Sequence, residues 1–380
     1  MNFEFDPEQL QIQEQARRVL TDLSTPASIR QVMDSGSGLD RGLWQTCGEL
    51  GFLGAALPEE YGGTGAGHLA LCVIAEEVGR ANAAIPFASS ICLAAELLRA
   101  AGSAAQQARW LPRLARGASI ACVALAEGPG AITPAAVQTR YGDGRLHGTK
   151  TAVLDGDSAD LAIVPALFEE RVALVLVDLR DAAVAPTVER TPLASIDPSR
   201  GHARLAFRDT PAELLSAAGW PVLQAGLDRA AVLVAFEQLG GAERALAMAR
   251  DYALERHAFG RPIGSFQAIK HKLADMYVAI TLARANCTWA AWALQAQATE
   301  LPEAAAAARV SATEAAQLCV KENIQVHGGM GFTWDLDCHL YYRRAHLLAL
   351  CLGGLSQWQD RLIGQLRARR ASQSPVAHGL

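Results

Sequence analysis

The sequence predicts an α+β multidomain chain, with an N-terminal helical domain, a central antiparallel β barrel or sandwich, and a C-terminal four-helix bundle. Three observations carry that expectation. Helical signals run to about residue 118, short segments rich in β-formers and separated by turn residues fill 119–218, and helical periodicity returns from Trp220 onward. The expected divisions are 1–118 (helical), 119–218 (β), 219–372 (bundle) and 373–380 (a flexible tail).

The elements follow in order. Asp6-Pro7-Glu8 reads as an N-cap with proline in the first turn, opening a mostly solvated helix. The glycine-rich knot Tyr61 to Gly65 separates the early helices from a longer one that starts near His68. In the β region, Gly142-Asp143-Gly144 between Tyr141 and Arg145 is a hairpin signal, because tight turns need the positive φ that glycine tolerates. In the last region Val232, Phe236, Leu239 and Leu246 recur on one helical face. That helix ends in a basic loop, where Phe259-Gly260-Arg261-Pro262 interrupts the pattern; Ser265 then serves as the expected N-cap of the next helix.

Composition excludes several roles. The chain has 380 residues, of which 51% are hydrophobic and 19% charged, as in an ordinary globular protein with a sizeable core. Its 34 basic and 39 acidic residues leave a net charge of −5, so no basic field exists for a nucleic-acid partner. The eight cysteines contain no C-x-x-C pair, which predicts buried thiols in a reducing compartment and no metal site. The first residues are acidic and polar, and no run approaches ~18 apolar residues, so a cytoplasmic protein without a membrane span is expected.

Three blocks resemble the signatures of the acyl-CoA dehydrogenase family. They are Arg256-x-x-Phe259-Gly260 with Phe266-Gln267; Leu50 to Gly63 followed by Ala75 to Arg80; and Gln325 to Asp335, which reads QVHGGMGFTWD. The resemblance covers nearly the whole chain in the family's order. It implies FAD as cofactor and oxidation of the Cα–Cβ bond of an acyl-CoA thioester. It also implies that Arg256, Phe259, Gln267, Gln325, Gly328 and Gly329 hold the ADP half of an FAD seated in a neighbouring subunit. Electron-transferring flavoprotein is the acceptor the resemblance implies. His327, between two of these positions, reads instead as a helix-end cap.

The chain also departs from that pattern. Ala126 stands before Glu127 where the family has a hydroxyl residue, and Ala152 and Leu154 stand where it has Trp-x-Thr; both family motifs touch the isoalloxazine ring. The usual base, a Glu in a Glu-Gly pair, is replaced within Leu350-Cys351-Leu352-Gly353-Gly354, and Ala230 occupies the alternative base position. Glu237, two helical turns beyond Ala230, is the remaining candidate base; otherwise it is a carboxylate paired with Arg250 or Lys270 inside the bundle. These departures resemble a bacterial branch with heteromeric enzymes that act on sterol side-chain and other bulky acyl-CoAs. The readings are therefore a base-lacking subunit of a heteromer, a homo-oligomer that uses Glu237 or another carboxylate, or a catalytically silent CoA-thioester-binding or scaffold protein.

Overall fold

The computed structural model describes residues 5–216 and 218–373; positions 374–380 of the expected tail lie outside that range. The first region holds helices α1 (Pro7–Leu23), α2 (Pro26–Ser35), α3 (Arg41–Glu49), α4 (Gly67–Arg80), α5 (Glu96–Ala101) and α6 (Ala104–Ala115), with a π-helical segment at Phe87–Ala95. As the sequence indicated, α1 opens with Asp6 as N-cap, in a capping box with Gln9.

The sheet contains β1 (Ala121–Val123), β2 (Arg140–Gly142), β3 (Arg145–Leu154), β4 (Leu161–Phe168), β5 (Arg171–Asp178), β6 (Val188–Pro192), β7 (His202–Pro211) and β8 (Glu213–Ser216). Asp143 and Gly144 make the expected two-residue hairpin between β2 and β3, with φ of 50° and 72°. The all-antiparallel barrel or sandwich is corrected. β4 runs parallel to both β1 and β2, and the path β6-β7-β3-β2-β4-β5-β8 does not close among the described strands. Alternation along a strand reports which face is buried but not the direction of its neighbour, and β1 meets β4 only after the chain has crossed the sheet.

Among the described residues the C-terminal region holds five α-helices where four were expected: α7 (Gly219–Glu255), α8 (Gln267–Gln295), α9 (Leu301–His327), α10 (Cys338–Leu350) and α11 (Leu355–Gln373). The three long ones pack on one another, and α10 and α11 lie against α9. α10 and α11 are divided by the turn at Leu352-Gly353-Gly354, where Gly353 takes φ +99°. A second correction concerns the entry to α8. Ser265 does not cap it: its Oγ donates to the Pro262 carbonyl at 2.7 Å, and Phe266 occupies the cap position without a side-chain bond.

The N-terminal helices are locked to the bundle by backbone contact. A Cβ at Gly79 of α4 would lie 1.7 Å from the Glu237 carbonyl oxygen, and one at Gly240 of α7 would lie 1.8 Å from that of Glu76. Only glycine permits this approach. Around the crossing, Arg80 and Arg284 of α8 share Glu76 and Glu243, and Arg17 of α1 reaches Glu77 at 2.7 Å.

Candidate functional site

At one end of the bundle, α7 stops because Arg256 turns to extended backbone, φ −75° and ψ 124°. The chain then forms a minimal hairpin from β9 (His257–Ala258) and β10 (Arg261–Pro262). Phe259 sits at its tip with φ 54° and is 96% exposed. A bulky residue held in the left-handed region and left bare to solvent is strained and unburied, a combination associated with ligand contacts. Arg261 lies 4.1 Å over the Phe266 ring and Phe259 meets that ring edge-on, so the loop is braced by its own aromatics. Gln267 begins α8 and is exposed.

The second block lies beside the first. α9 ends at His327, whose Nδ1 engages the Asn323 carbonyl at 2.8 Å, consistent with an end-capping role. Its ring stacks on Tyr252, one turn before Arg256, which joins the ends of α7 and α9. Gly328 has φ +60°, and a Cβ at Gly328 or Gly329 would meet nothing within 4 Å. Their lack of a side chain therefore serves no packing within this chain. Gly331 differs, since its Cβ would lie 2.5 Å from the Ile324 carbonyl. Arg256, Phe259, Gln267 and Gln325 are all exposed, and Phe332 and Trp334 project nearby in sequence at 80% and 49% exposure. Exposed cationic, aromatic and amide groups thus lie in the same two turns as a glycine backbone with open space beside it.

A separate cleft of about 390 Å³ opens between the sheet and α10. Ala126, Ala152, Leu154, Leu350 and Cys351, read from sequence as the departures, all line it. A register shift between Lys150 and Val153 puts Ala152 at φ 49° and turns it toward the cleft. The rim is pinned by Gln357 of α11, whose Nε2 donates to the Ile132 carbonyl at 2.8 Å. The lining includes Ser195, His202 and the Cys351 thiol but no carboxylate. Burial pushes that thiol's pKa up, which disfavours the thiolate a base would require. Glu127, next to Ala126, is occupied elsewhere: it accepts Lys150 Nζ at 2.6 Å and the amides of Gln138 and Thr139.

Glu237 does not line this cleft. Its side chain is fully buried in a small separate cavity with Asn82, Gln238 and Arg344. Burial raises its pKa, while the Arg200 and Arg344 guanidinium groups pull the other way. The anticipated pairing with Arg250 or Lys270 is absent; Arg250 binds its neighbour Asp251 on the surface, and the cation nearest Glu237 is Arg344, with Nη1 3.8 Å from Oε1. Ala230 is likewise buried and does not line the cleft.

Sequence reasoning missed the buried ionic junction behind the cleft. Arg344 of α10 bonds Asp197 Oδ2 at 2.6 Å, Ser199 Oγ at 3.0 Å and the Ala83 carbonyl at 2.8 Å, so it joins all three regions of the chain. Arg200 similarly holds Asp155, with Nε 3.0 Å from Oδ1, and Ser89 donates to the same carboxylate. The available signal was the adjacent pair Arg343-Arg344 within the largely apolar stretch Tyr341 to Leu352, since a buried charge demands a partner.

Helices, a mixed sheet and a long-helix bundle with an exposed end make up a three-part scaffold. The family description "Acyl-CoA dehydrogenase, N-terminal domain" matches residues 6–118, and "Acyl-CoA dehydrogenase, C-terminal domain" matches 217–366. Among relatives, acyl-CoA dehydrogenase IpdE2 of Mycobacterium tuberculosis is 34% identical over 84% of this chain and 85% of its own length. Among solved structures, the Tcur3481-Tcur3483 steroid ACAD, studied as a variant, superimposes with TM-score 0.87 at 34% identity, covering 96% of this chain and 99% of that one. The ChsE4-ChsE5 complex of Mycobacterium tuberculosis gives TM-score 0.87 at 31% identity, over 99% of this chain and 100% of that one. The chain belongs to the acyl-CoA dehydrogenase family, whose enzymes are FAD-dependent. Among the described residues, no helix is long and apolar enough to cross a membrane.

Proposed function

We propose that this chain is one subunit of an FAD-dependent acyl-CoA dehydrogenase, and that it is the partner lacking the catalytic base. One observation carries the reading: the cleft that would face the substrate holds no carboxylate, while the cofactor-type residues gather intact at the exposed end of the bundle. A hetero-oligomer is favoured because relatives of this chain include the ChsE4-ChsE5 complex, and a bulky acyl group because they include a steroid ACAD. The enzyme works in the cytoplasm and passes electrons to an electron-transferring flavoprotein.

The residues fit FAD in halves. Arg256 offers a planar fork of donors to a diphosphate, Gln267 and Gln325 offer amides, Phe259 offers a face, and Gly328 and Gly329 let backbone approach closely. Ala126, Ala152 and Leu154 give the ring no side-chain hydrogen bond. When bound, FAD supplies acceptance of the Cβ hydride. Removal of the α-proton needs a carboxylate within hydrogen-bond reach, commonly worth about 10²–10⁴-fold in rate, so it falls to the sister chain. Leu154, Leu347 and Leu350 give the cleft apolar walls suited to an acyl chain.

The test is expression with and without a related chain that carries a Glu-Gly after its Arg-Ala. This chain alone should be pale and inactive, and the pair yellow and able to oxidise an acyl-CoA. A fully flavinylated, active homomer would overturn the half-site reading. A pair that binds acyl-CoA but never reduces flavin would favour the silent thioester-binding protein.

A further inference from the structure

We infer that the small cavity between the end of α4, α7, α9 and α10 is a binding site for a single internal water molecule that joins Asn82 to Glu237 and Gln238. The inference is independent of which subunit carries the catalytic base. The cavity measures about 10 Å³, the room one water requires. It is lined by Gly79, Asn82, Glu237, Gln238, Tyr341 and Arg344, among others. Five polar atoms of these residues have no hydrogen-bond partner among the described residues: both Oε of Glu237, Oδ1 and Nδ2 of Asn82, and Nε2 of Gln238. These three side chains are only 1–2% exposed, so bulk solvent does not reach them.

The unmet groups specify what fills the space. Gln238 Oε1 accepts from the Arg309 guanidinium at 2.5 Å and from Thr313 Oγ1 at 3.1 Å, which fixes the amide and leaves Nε2 as a donor into the cavity. Asn82 supplies a further donor and an acceptor, and Glu237 supplies acceptors. Two donors and three acceptors face the space: a water accepts from the two donors and donates to two of the acceptors, while Glu237 Oε1 also lies within ion-pair range of Arg344. A cation would face two N–H groups and Arg344, whose Nη1 stands 3.8 Å from Glu237 Oε1. An anion would face the Glu237 carboxylate, and an apolar group would leave all five atoms unpaired. Direct closure between α4 and α7 is limited by the Gly79–Glu237 backbone contact, which already sets the spacing of the helices.

The water is therefore an integral part of the junction: it links Asn82, just beyond the end of α4, to Glu237 and Gln238 in the middle of α7, next to Arg344, which holds the β region. An atomic-resolution crystal structure of the intact protein or its complex tests this, together with oxygen-17 relaxation dispersion to count long-lived internal waters. Density is expected within about 3.2 Å of at least three of the named groups. Glu237→Gln, which keeps an acceptor, should retain it; Glu237→Met, which fills the space with an apolar chain, should have one long-lived water fewer. An empty cavity, a direct Asn82–Glu237 hydrogen bond, or an unchanged water count in Glu237→Met would overturn the inference. Should the methionine variant not fold, the wild-type and Glu237→Gln structures decide it.

Discussion

Tyr252 and His327 stack with ring centroids 4.1 Å apart and 26° between their planes. That contact brings the turn after α7 and the turn after α9 side by side, so residues some seventy positions apart in the chain form one open surface.

Gly329→Val separates folding from cofactor binding. Nothing lies within 4 Å of a Cβ there, so the melting temperature should stay within about 2 °C of wild type. Flavin retained by the complex, read from the absorbance ratio after gel filtration, should fall sharply. Full retention would show that the open space does not face the cofactor.

Arg256→Ala removes an exposed guanidinium that bonds nothing within its own chain through its side chain in the described contacts. The complex should bind FAD roughly tenfold or more weakly, the equivalent of about 1.5–3 kcal/mol for a lost charge-assisted contact. Equilibrium titration measures it, and unchanged affinity would return Arg256 to a surface role.

Arg344→Met should destabilise the protein by about 3–5 kcal/mol, because Asp197 is then left buried without its cation. Arg344 also lowers the pKa of Asp197 against the effect of burial, so the variant should unfold with altered pH dependence. Urea unfolding at several pH values tests both; a loss below about 1 kcal/mol would mean that Asp197 finds other partners.

Glu96 gives a stability term at acid pH. Burial opposes its ionisation, but the His68 bond at 3.0 Å and Arg99 at 2.8 Å more than offset this and hold its pKa at about 2, against 4.5 in the unfolded chain. A depressed carboxylate stabilises the fold above pH 4.5, and that contribution is lost as pH falls from 4.5 toward 2. Its size is on the order of 3 kcal/mol. In Glu96→Gln the acid-side decline of stability over this window should be shallower; an identical pH profile would refute the assignment.

The order helical, β, helical was legible because each region has its own period and punctuation, and the capping box at Asp6 and the turn at Asp143-Gly144 are set by neighbours in sequence. The absence of a carboxylate around Leu350 to Gly354 was legible too, as a local pattern. Strand direction was not, because the pairing of β1 with β4 joins residues about forty apart and depends on the path of the intervening chain. Nor could Glu237 be placed: helical spacing put it on a face with Ala230, but only the glycine-to-backbone crossing of α4 and α7 determines that this face is sealed from the cleft. The partners of Arg344, drawn from three regions, were likewise a matter of tertiary structure, since the cost of burying a charge says that partners must exist but not where in the chain they lie.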